Sequence, residues 1–226
     1  MCYNKEASIS VFTYVTVASG LLWYRNYPND RMLAIVFFGI GLVQLFEYFL
    51  WAYPGCNLIN HYTTIAIALL IVLHPTIIFS SAYAYETTVI PKNYLLILII
   101  LGCIGFIYYA IRLLTSKRNS CSKGTKNDYM EWDINLTEEN KSSNLSSFVI
   151  WMLYFIPIFV FLFMKNRTYG IIIFAVLFIG LLFSMHKARF LASVQSDSWR
   201  SLWCFVSNSL PVVALGLGYY YKTNKR

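Results

Sequence analysis

Long apolar runs constrain this sequence more than any other feature. A helix needs about 17 to 25 mainly apolar residues to cross the hydrocarbon core of a bilayer. Seven such runs occur, at 8–24, 32–53, 63–85, 94–114, 148–164, 170–186 and 202–221. In lipid only helices and closed barrels satisfy their backbone hydrogen bonds, and these runs are too long for barrel strands. The sequence therefore predicts an all-α, polytopic integral membrane protein, with the whole chain forming one bundle of seven transmembrane helices.

The composition supports this class of protein. Of 226 residues, 58% are hydrophobic and only 12% are charged, whereas soluble domains carry about 25% charged residues. The formal net charge is +8, but Lys and Arg are spread through the gaps between apolar runs and form no basic stripe. This distribution argues against nucleic-acid binding. It is typical of loops beside a membrane, so the lipid bilayer is the predicted partner, and the pattern leaves the oligomeric state open.

The orientation in the membrane is only weakly indicated. We use "side one" for the side of the membrane on which the chain begins, and "side two" for the opposite side. Lys and Arg divide almost evenly between them, so the positive-inside rule does not decide. The segment 115–147 is rich in Ser, Asn and charged residues and predicts an exposed, partly disordered loop on side one. Its Asn-x-Ser/Thr sequons at Asn135, Asn140 and Asn144, and the absence of Lys and Arg from loop 54–62, favour an exoplasmic N-terminus.

Cysteine positions give a further prediction for side one. Cys2, Cys56 and Cys121 all fall there, and a disulfide between Cys2 and Cys56 is the predicted pairing if that compartment is oxidising. Free thiols in a reducing compartment are the alternative. No CxxC pair or Cys/His spacing indicates a zinc or iron–sulfur site. Neither a metal nor a cofactor is predicted.

The second apolar run contains an acidic residue. Gln44, Glu47 and Trp51 lie at i, i+3 and i+7 and so share one helix face. An intramembrane carboxylate is rare and usually faces the bundle interior and a partner. With a rise of 1.5 Å per residue, Glu47 lies roughly 9 Å below the side-one end of its helix. Ser207 and Asn208 of the last run start at a similar depth.

These depths predict a polar pocket that opens toward side one. His74 lies nearer the midplane, and Pro75 after it removes a helix hydrogen bond and frees a carbonyl group. The predicted lining consists of Gln44, Glu47, Trp51, His74, Trp203, Ser207 and Asn208. The alternative is that these side chains only hydrogen-bond neighbouring helices and add about 0.6 to 2 kcal/mol each.

The sequence gives little support for the known kinds of intramembrane enzyme or retinal protein. A retinal protein needs a Lys in its last helix for the Schiff base, and 202–221 contains none. A metal-dependent hydrolase needs convergent His and Asp ligands, yet every Asp falls between the apolar runs. No catalytic residue is predicted, and an enzyme is the least favoured class.

Several segments together resemble a known family. They are "MCYNKEAS" at 1–8, "DRMLAIVFFGIGLVQLFEYFLW" at 30–51, "EWDINL" at 131–136 and "SDSWRSLWCFVSNSL" at 196–210. This pattern resembles small multi-pass membrane proteins encoded by giant DNA viruses, with relatives in cellular genomes. The resemblance implies a Met-Cys-x-Asn start, a Gln-x-x-Glu-x-x-x-Trp helix and a Trp-Cys-x-x-x-Asn-Ser ending. His74 departs from the family pattern, which has Gln before this proline. The resemblance supports the architecture and implies no activity.

Two functions follow as expectations. In the first, the protein binds or transports a small polar or cationic ligand against Glu47, because a carboxylate in a low dielectric attracts cations. In the second, it is a structural or interaction protein of a viral or organellar membrane, and the buried polar residues join helices.

Overall fold

Helices form nearly all of the described chain. The computed structural model describes residues 4–115, 120–124, 130–131, 157–191 and 208–224. The helices are α1 (Lys5–Arg25), α2 (Asp30–Ala52), α3 (Leu58–Tyr85), α4 (Lys92–Thr115), α5 (Arg167–Leu191) and α6 (Leu210–Asn224). A short 3-10 helix covers Val160–Phe163, and β1 (Lys123–Gly124) pairs antiparallel with β2 (Met130–Glu131). The all-α prediction is confirmed for these residues.

Five of the described helices, α1 to α5, are long and apolar enough to cross a membrane. The apolar part of α6 is shorter and covers Leu210–Tyr219. Most of the predicted helix 148–164, and the first part of 202–221, lie outside the described residues. The described chain therefore supports an integral membrane protein with five candidate spans, and the predicted number of seven remains a prediction.

Polar caps explain why the helices begin and end a few residues away from the apolar runs. Asn4 caps α1 by accepting a hydrogen bond from the Ala7 N–H at 2.8 Å, and Asn57 caps α3 in the same way. The C-cap residues that follow α1 and α3 are Asn26 and Glu86, and both adopt the left-handed conformation. Such caps satisfy the backbone groups that a helix end leaves without partners.

Close contacts fix the register of the first four helices. A Cβ at Gly41 of α2 would lie 2.8 Å from Cγ1 of Val15, so the Val15 side chain of α1 packs directly on the backbone of α2 at this point. Helix α4 packs on α3 where Gly102 faces Thr76. Most of the remaining surface of α4 is exposed and apolar, as expected for a helix that faces lipid.

A buried ion pair closes the side-two end. Arg25 Nε lies 2.7 Å from Asp30 Oδ2, and the Asp30 side chain is only 1% exposed. Arg25 also donates to the carbonyl oxygens of Leu215 (2.6 Å) and Ala214 (3.1 Å), and the Tyr169 hydroxyl donates to Ala214 O (2.9 Å). These bonds join the α1–α2 turn to α5 and α6. Asp30 falls between two apolar runs of the sequence, yet it begins α2 and is held there by Arg25.

Candidate functional site

The shared helix face predicted for α2 is buried in the bundle. Gln44 and Glu47 are both 0% exposed. Trp51 lies one turn beyond Glu47 toward side one and is partly buried. Its indole Nε1 is buried and makes no hydrogen bond with the residues that the structure describes. A buried donor without an acceptor is uncommon in proteins and points to a partner that the described residues do not supply.

A segment of the long polar loop covers this end of the bundle. We name residues 120–124 the cap segment. Asn60 of α3 holds it: its Nδ2 donates to Ser122 O at 3.1 Å, and its Oδ1 accepts from Ser122 N–H at 2.9 Å. The Thr64 and Ser122 hydroxyl oxygens lie 2.8 Å apart, and His61 Nδ1 is 3.1 Å from Ser120 O. The same Asn60 amide donates to Tyr53 O at 3.0 Å, which ties the cap segment to the end of α2 as well.

A disulfide fixes the cap segment covalently. Cys56, in the α2–α3 loop, is bonded to Cys121, and their Cα atoms are 5.4 Å apart. The predicted pairing of Cys2 with Cys56 is therefore wrong. The hydrogen bonds between Asn60 and Ser122 bring Cys121 next to Cys56. Because the Cys56 sulfur is bonded to Cys121, it cannot form a second disulfide with Cys2. Cys2 itself lies outside the described residues.

The cap segment also packs on Trp51. A Cβ at Gly124 would lie 3.0 Å from Cζ3 of the Trp51 indole, so a larger residue here would crowd the ring. Ser122 and Met130 are each 1% exposed. The described parts of the loop are thus ordered against the bundle. The prediction of an exposed loop over 115–147 is wrong for Ser120, Cys121, Ser122 and Met130, which are buried, and it agrees with Lys123 and Gly124, which are exposed.

His74 lies at a different depth from Glu47. Its ring packs against Gly39, where a Cβ would lie 3.8 Å from Cδ2 and 3.9 Å from Nε2. Glu47 is eight residues beyond Gly39 on α2, roughly 12 Å along the helix axis. The structure therefore does not bring His74 into one pocket with Glu47. This separation follows from the antiparallel register, in which Tyr53 faces Asn60 and Gly39 faces His74.

His74 instead borders a small apolar cavity of about 30 Å³. Residues of α2, α3, α5 and the 157–161 segment line it, including Phe37, Pro75, Phe161 and Leu177. His74 Nε2 is buried and has no hydrogen-bond partner among the described residues. The cavity has room for about one water molecule. Helix α3 continues through Pro75, from Leu58 to Tyr85.

Asn208 lies just before α6, a helix that packs against α1 and α2. It is 3% exposed and precedes α6. One turn later, the Val212 backbone lies close to Tyr14, and the adjacent Val15 packs on Gly41. The start of α6 therefore lies near the contact between α1 and α2. The predicted lining residues Trp203 and Ser207 lie outside the described part of the chain.

Sequence reasoning missed the residues that hold the cap segment. Asn60, Thr64 and Ser122 are 0%, 1% and 1% exposed, and all are polar. Asn60 and Thr64 lie one turn apart near the start of α3, a spacing that indicates a shared face. Ser122 is 62 residues away from Asn60, and no local pattern connects them.

The comparisons with known proteins give no relative. No family model, no curated protein and no solved structure matches the chain. Within the described residues, no group of three or more His, Cys, Asp or Glu side chains is placed to bind a metal ion. The arrangement offers a buried carboxylate, a buried amide and an indole donor on one helix face, under a covalently fixed cover.

Proposed function

We propose that this chain is a multi-pass membrane protein that binds a small polar or cationic ligand beside Glu47. The observation that carries the proposal is the buried Trp51 Nε1, which has no hydrogen-bond partner among the described residues and lies one turn from the fully buried Glu47. A ligand with a cationic or donor group for Glu47 and an acceptor for the indole matches this pair. Gln44 supplies an amide on the same helix face to orient it.

The position of the cap segment indicates from which side of the membrane a ligand reaches this site. Trp51 and Gly124 lie between Glu47 and side one, so a ligand that arrives from side one passes the disulfide-bonded cover. A disulfide forms and persists in oxidising compartments. The Cys56–Cys121 bond therefore supports an exoplasmic or luminal side one, and with it an exoplasmic N-terminus.

The test is ligand-dependent thermal stabilisation of the purified protein in a neutral detergent. The probes are Na⁺, K⁺, Ca²⁺ and choline, each compared at equal ionic strength. We expect one of them to raise the melting temperature of the wild type, Glu47→Gln to abolish that rise, and Trp51→Phe to weaken it when the probe carries an acceptor. Glu6→Gln, which removes an exposed acid with a side chain 67% exposed, is the matched control and should respond as the wild type.

A second candidate is a structural or interaction protein of its membrane. It is favoured by the complete burial of Gln44 and Glu47 and by the absence of both from the lining of the interior cavity at His74. In that function the polar side chains only join helices. Glu47→Gln would then lower the melting temperature without changing any probe response, and the wild type would respond to none of the four probes.

A further inference from the structure

A cleft at the side-two end of the bundle is separate from the Glu47 region. It has a volume of about 570 Å³, within the range of ligand sites. The α1–α2 turn, the α3–α4 loop and the start of α5 form its walls. Its lining residues are Pro28, Asn29, Tyr85, Glu86, Thr87, Lys165, Asn166 and Arg167.

Backbone hydrogen bonds hold two of these walls together. The Val89 N–H donates to Phe163 O, and the Lys165 N–H donates to Thr87 O, each at 2.8 Å. The Thr87 hydroxyl also donates to the sulfur of Met32 at 2.7 Å, which attaches the α3–α4 loop to α2. The cleft is therefore built by the fold and does not depend on exposed side chains alone.

The charges in the cleft favour an anion. Lys165 and Arg167 are exposed at its edge. Glu86 is the acidic residue in the lining, and its Oε1 lies 2.5 Å from Lys92 Nζ, so its charge is already balanced. Arg167 begins α5, and Asn166 caps this helix by accepting from the Tyr169 N–H at 3.2 Å. A helix N-terminus adds partial positive charge and backbone N–H donors.

Asn29 gives an independent indication of a ligand. The residue is only 8% exposed and lines the cleft. Its side chain forms no capping bond with α2 and no other hydrogen bond with the part of the chain that the structure describes. Its amide therefore has hydrogen-bonding capacity left in the cleft, which a bound anion's oxygen atoms can use.

We propose that this cleft binds the phosphate of an anionic phospholipid headgroup. The cleft lies where α2 and α5 begin and α3 ends, which is the level of the headgroups. Nearby, the Arg31 guanidinium lies 5.3 Å from the Trp23 ring centre, a pairing of residue types enriched at membrane interfaces. With side one in an oxidising compartment, side two faces the cytoplasmic leaflet, where anionic lipids are concentrated.

The experiment titrates the purified full chain in a neutral detergent with dioctanoyl phosphatidic acid, dioctanoyl phosphatidylcholine and inorganic phosphate. Thermal stabilisation reports binding. We expect saturable binding of phosphatidic acid and none of phosphatidylcholine at the same concentration. Inorganic phosphate that binds as tightly as phosphatidic acid would overturn the assignment to a lipid.

Two sets of variants test the location. Lys165→Gln with Arg167→Gln should weaken phosphatidic acid binding about tenfold or more, while Lys5→Gln with Lys123→Gln, which removes the same charge from side one, should leave it unchanged. Asn29→Gly should weaken it about threefold without backbone strain, because the φ of 79° at Asn29 suits glycine. Unchanged affinity in both Asn29→Gly and the Lys165/Arg167 variant would overturn the proposal. None of these variants touches Glu47, so the result is independent of the proposed function.

Discussion

Gly218 of α6 lies directly against the guanidinium group of Arg25, so closely that a Cβ at this position would overlap it. This approach lets Arg25 reach the carbonyl oxygens of Ala214 and Leu215 while it stays paired with Asp30. A larger residue here would force the Arg25 guanidinium to shift and would disturb a contact between the first and last described helices.

We predict that Gly218→Ala displaces Arg25 and lowers the free energy of unfolding by about 3 kcal/mol, because a disturbed buried pair leaves Asp30 without its full compensation. Gly216→Ala is the control, since nothing lies within 4 Å of a Cβ there. It should have no effect or stabilise slightly. Thermal unfolding in detergent measures both, and equal melting temperatures for the two variants would contradict the contact.

A second prediction concerns the packing of α1 on α2. Gly41→Ala would place a methyl group 2.8 Å from Val15 Cγ1 and should cost about 1 to 3 kcal/mol of stability through overpacking. Adding Val15→Ala should recover part of this loss, because the new methyl then fills the space that the valine vacates. Gly20→Ala, with nothing within 4 Å, is the control. A double variant less stable than either single variant would argue against direct contact.

The disulfide gives a third prediction. Peptide mapping without reductant should recover Cys56 joined to Cys121, whereas Cys103 should react with alkylating reagents after unfolding. Replacing both bonded cysteines by Ser should lower stability by about 4 kcal/mol, since the bond closes a loop with a sequence separation of 65 residues. Recovery of a peptide that joins Cys2 to Cys56 would contradict the structure. Cys103→Ser is the matched control.

Asn60 provides a fourth prediction, because one side chain satisfies both backbone groups of Ser122. Asn60→Ala leaves the buried Ser122 carbonyl without a partner and the Ser122 N–H with Thr64 Oγ1 alone (3.1 Å), and it should cost about 1 to 3 kcal/mol. It should also expose Cys121 and its disulfide to faster reduction by a dithiol. Asn93→Ala, at an exposed position of α4, should change neither property. Wild-type reduction kinetics in Asn60→Ala would show that Asn60 does not hold the cap segment.

The fifth prediction concerns acid sensitivity at side two. Lys92 lowers the pKa of Glu86 below its usual value of 4.5 by hydrogen bonding and charge attraction. The pair therefore stabilises the fold above that value and loses its effect as the pH falls through the lowered pKa. Between pH 5 and pH 3, the wild type should lose slightly more stability than Glu86→Gln. Because Glu86 is exposed, the difference should be small and should shrink in high salt. A larger loss in Glu86→Gln would reverse the assigned sign.

The sequence predicted the positions of the helices well where the length of an apolar run determines them. The run 32–53 became α2 (Asp30–Ala52), and the run 94–114 became α4 (Lys92–Thr115), because backbone groups in lipid leave few alternatives to a helix. The burial of Gln44 and Glu47 was also predictable, since they share a helix face and carry polar groups that lipid excludes.

Relations between distant residues were not predictable. The pairing of Cys56 with Cys121 depends on Asn60 meeting Ser122, and no periodicity encodes that meeting. The depth of His74 depends on which α3 residue faces Gly39, and that register decides that its neighbours on α2 lie eight residues from Glu47. Arg25 and Asp30 did carry a signal, because two opposite charges flank a short turn between apolar runs. The acceptors of Arg25 on α6 are backbone carbonyl groups of Ala214 and Leu215, and no signal in the sequence indicated them.

The bonds from Arg25 to Ala214 and Leu215 also set an order of assembly. The α1–α2 hairpin emerges first from the ribosome, with Arg25 and Asp30 only five residues apart in sequence. Two of the guanidinium's hydrogen bonds have no acceptor until residues near 215 have been synthesised. A chain that stops short of α6 therefore leaves the Arg25 guanidinium paired with Asp30 but without these two acceptors.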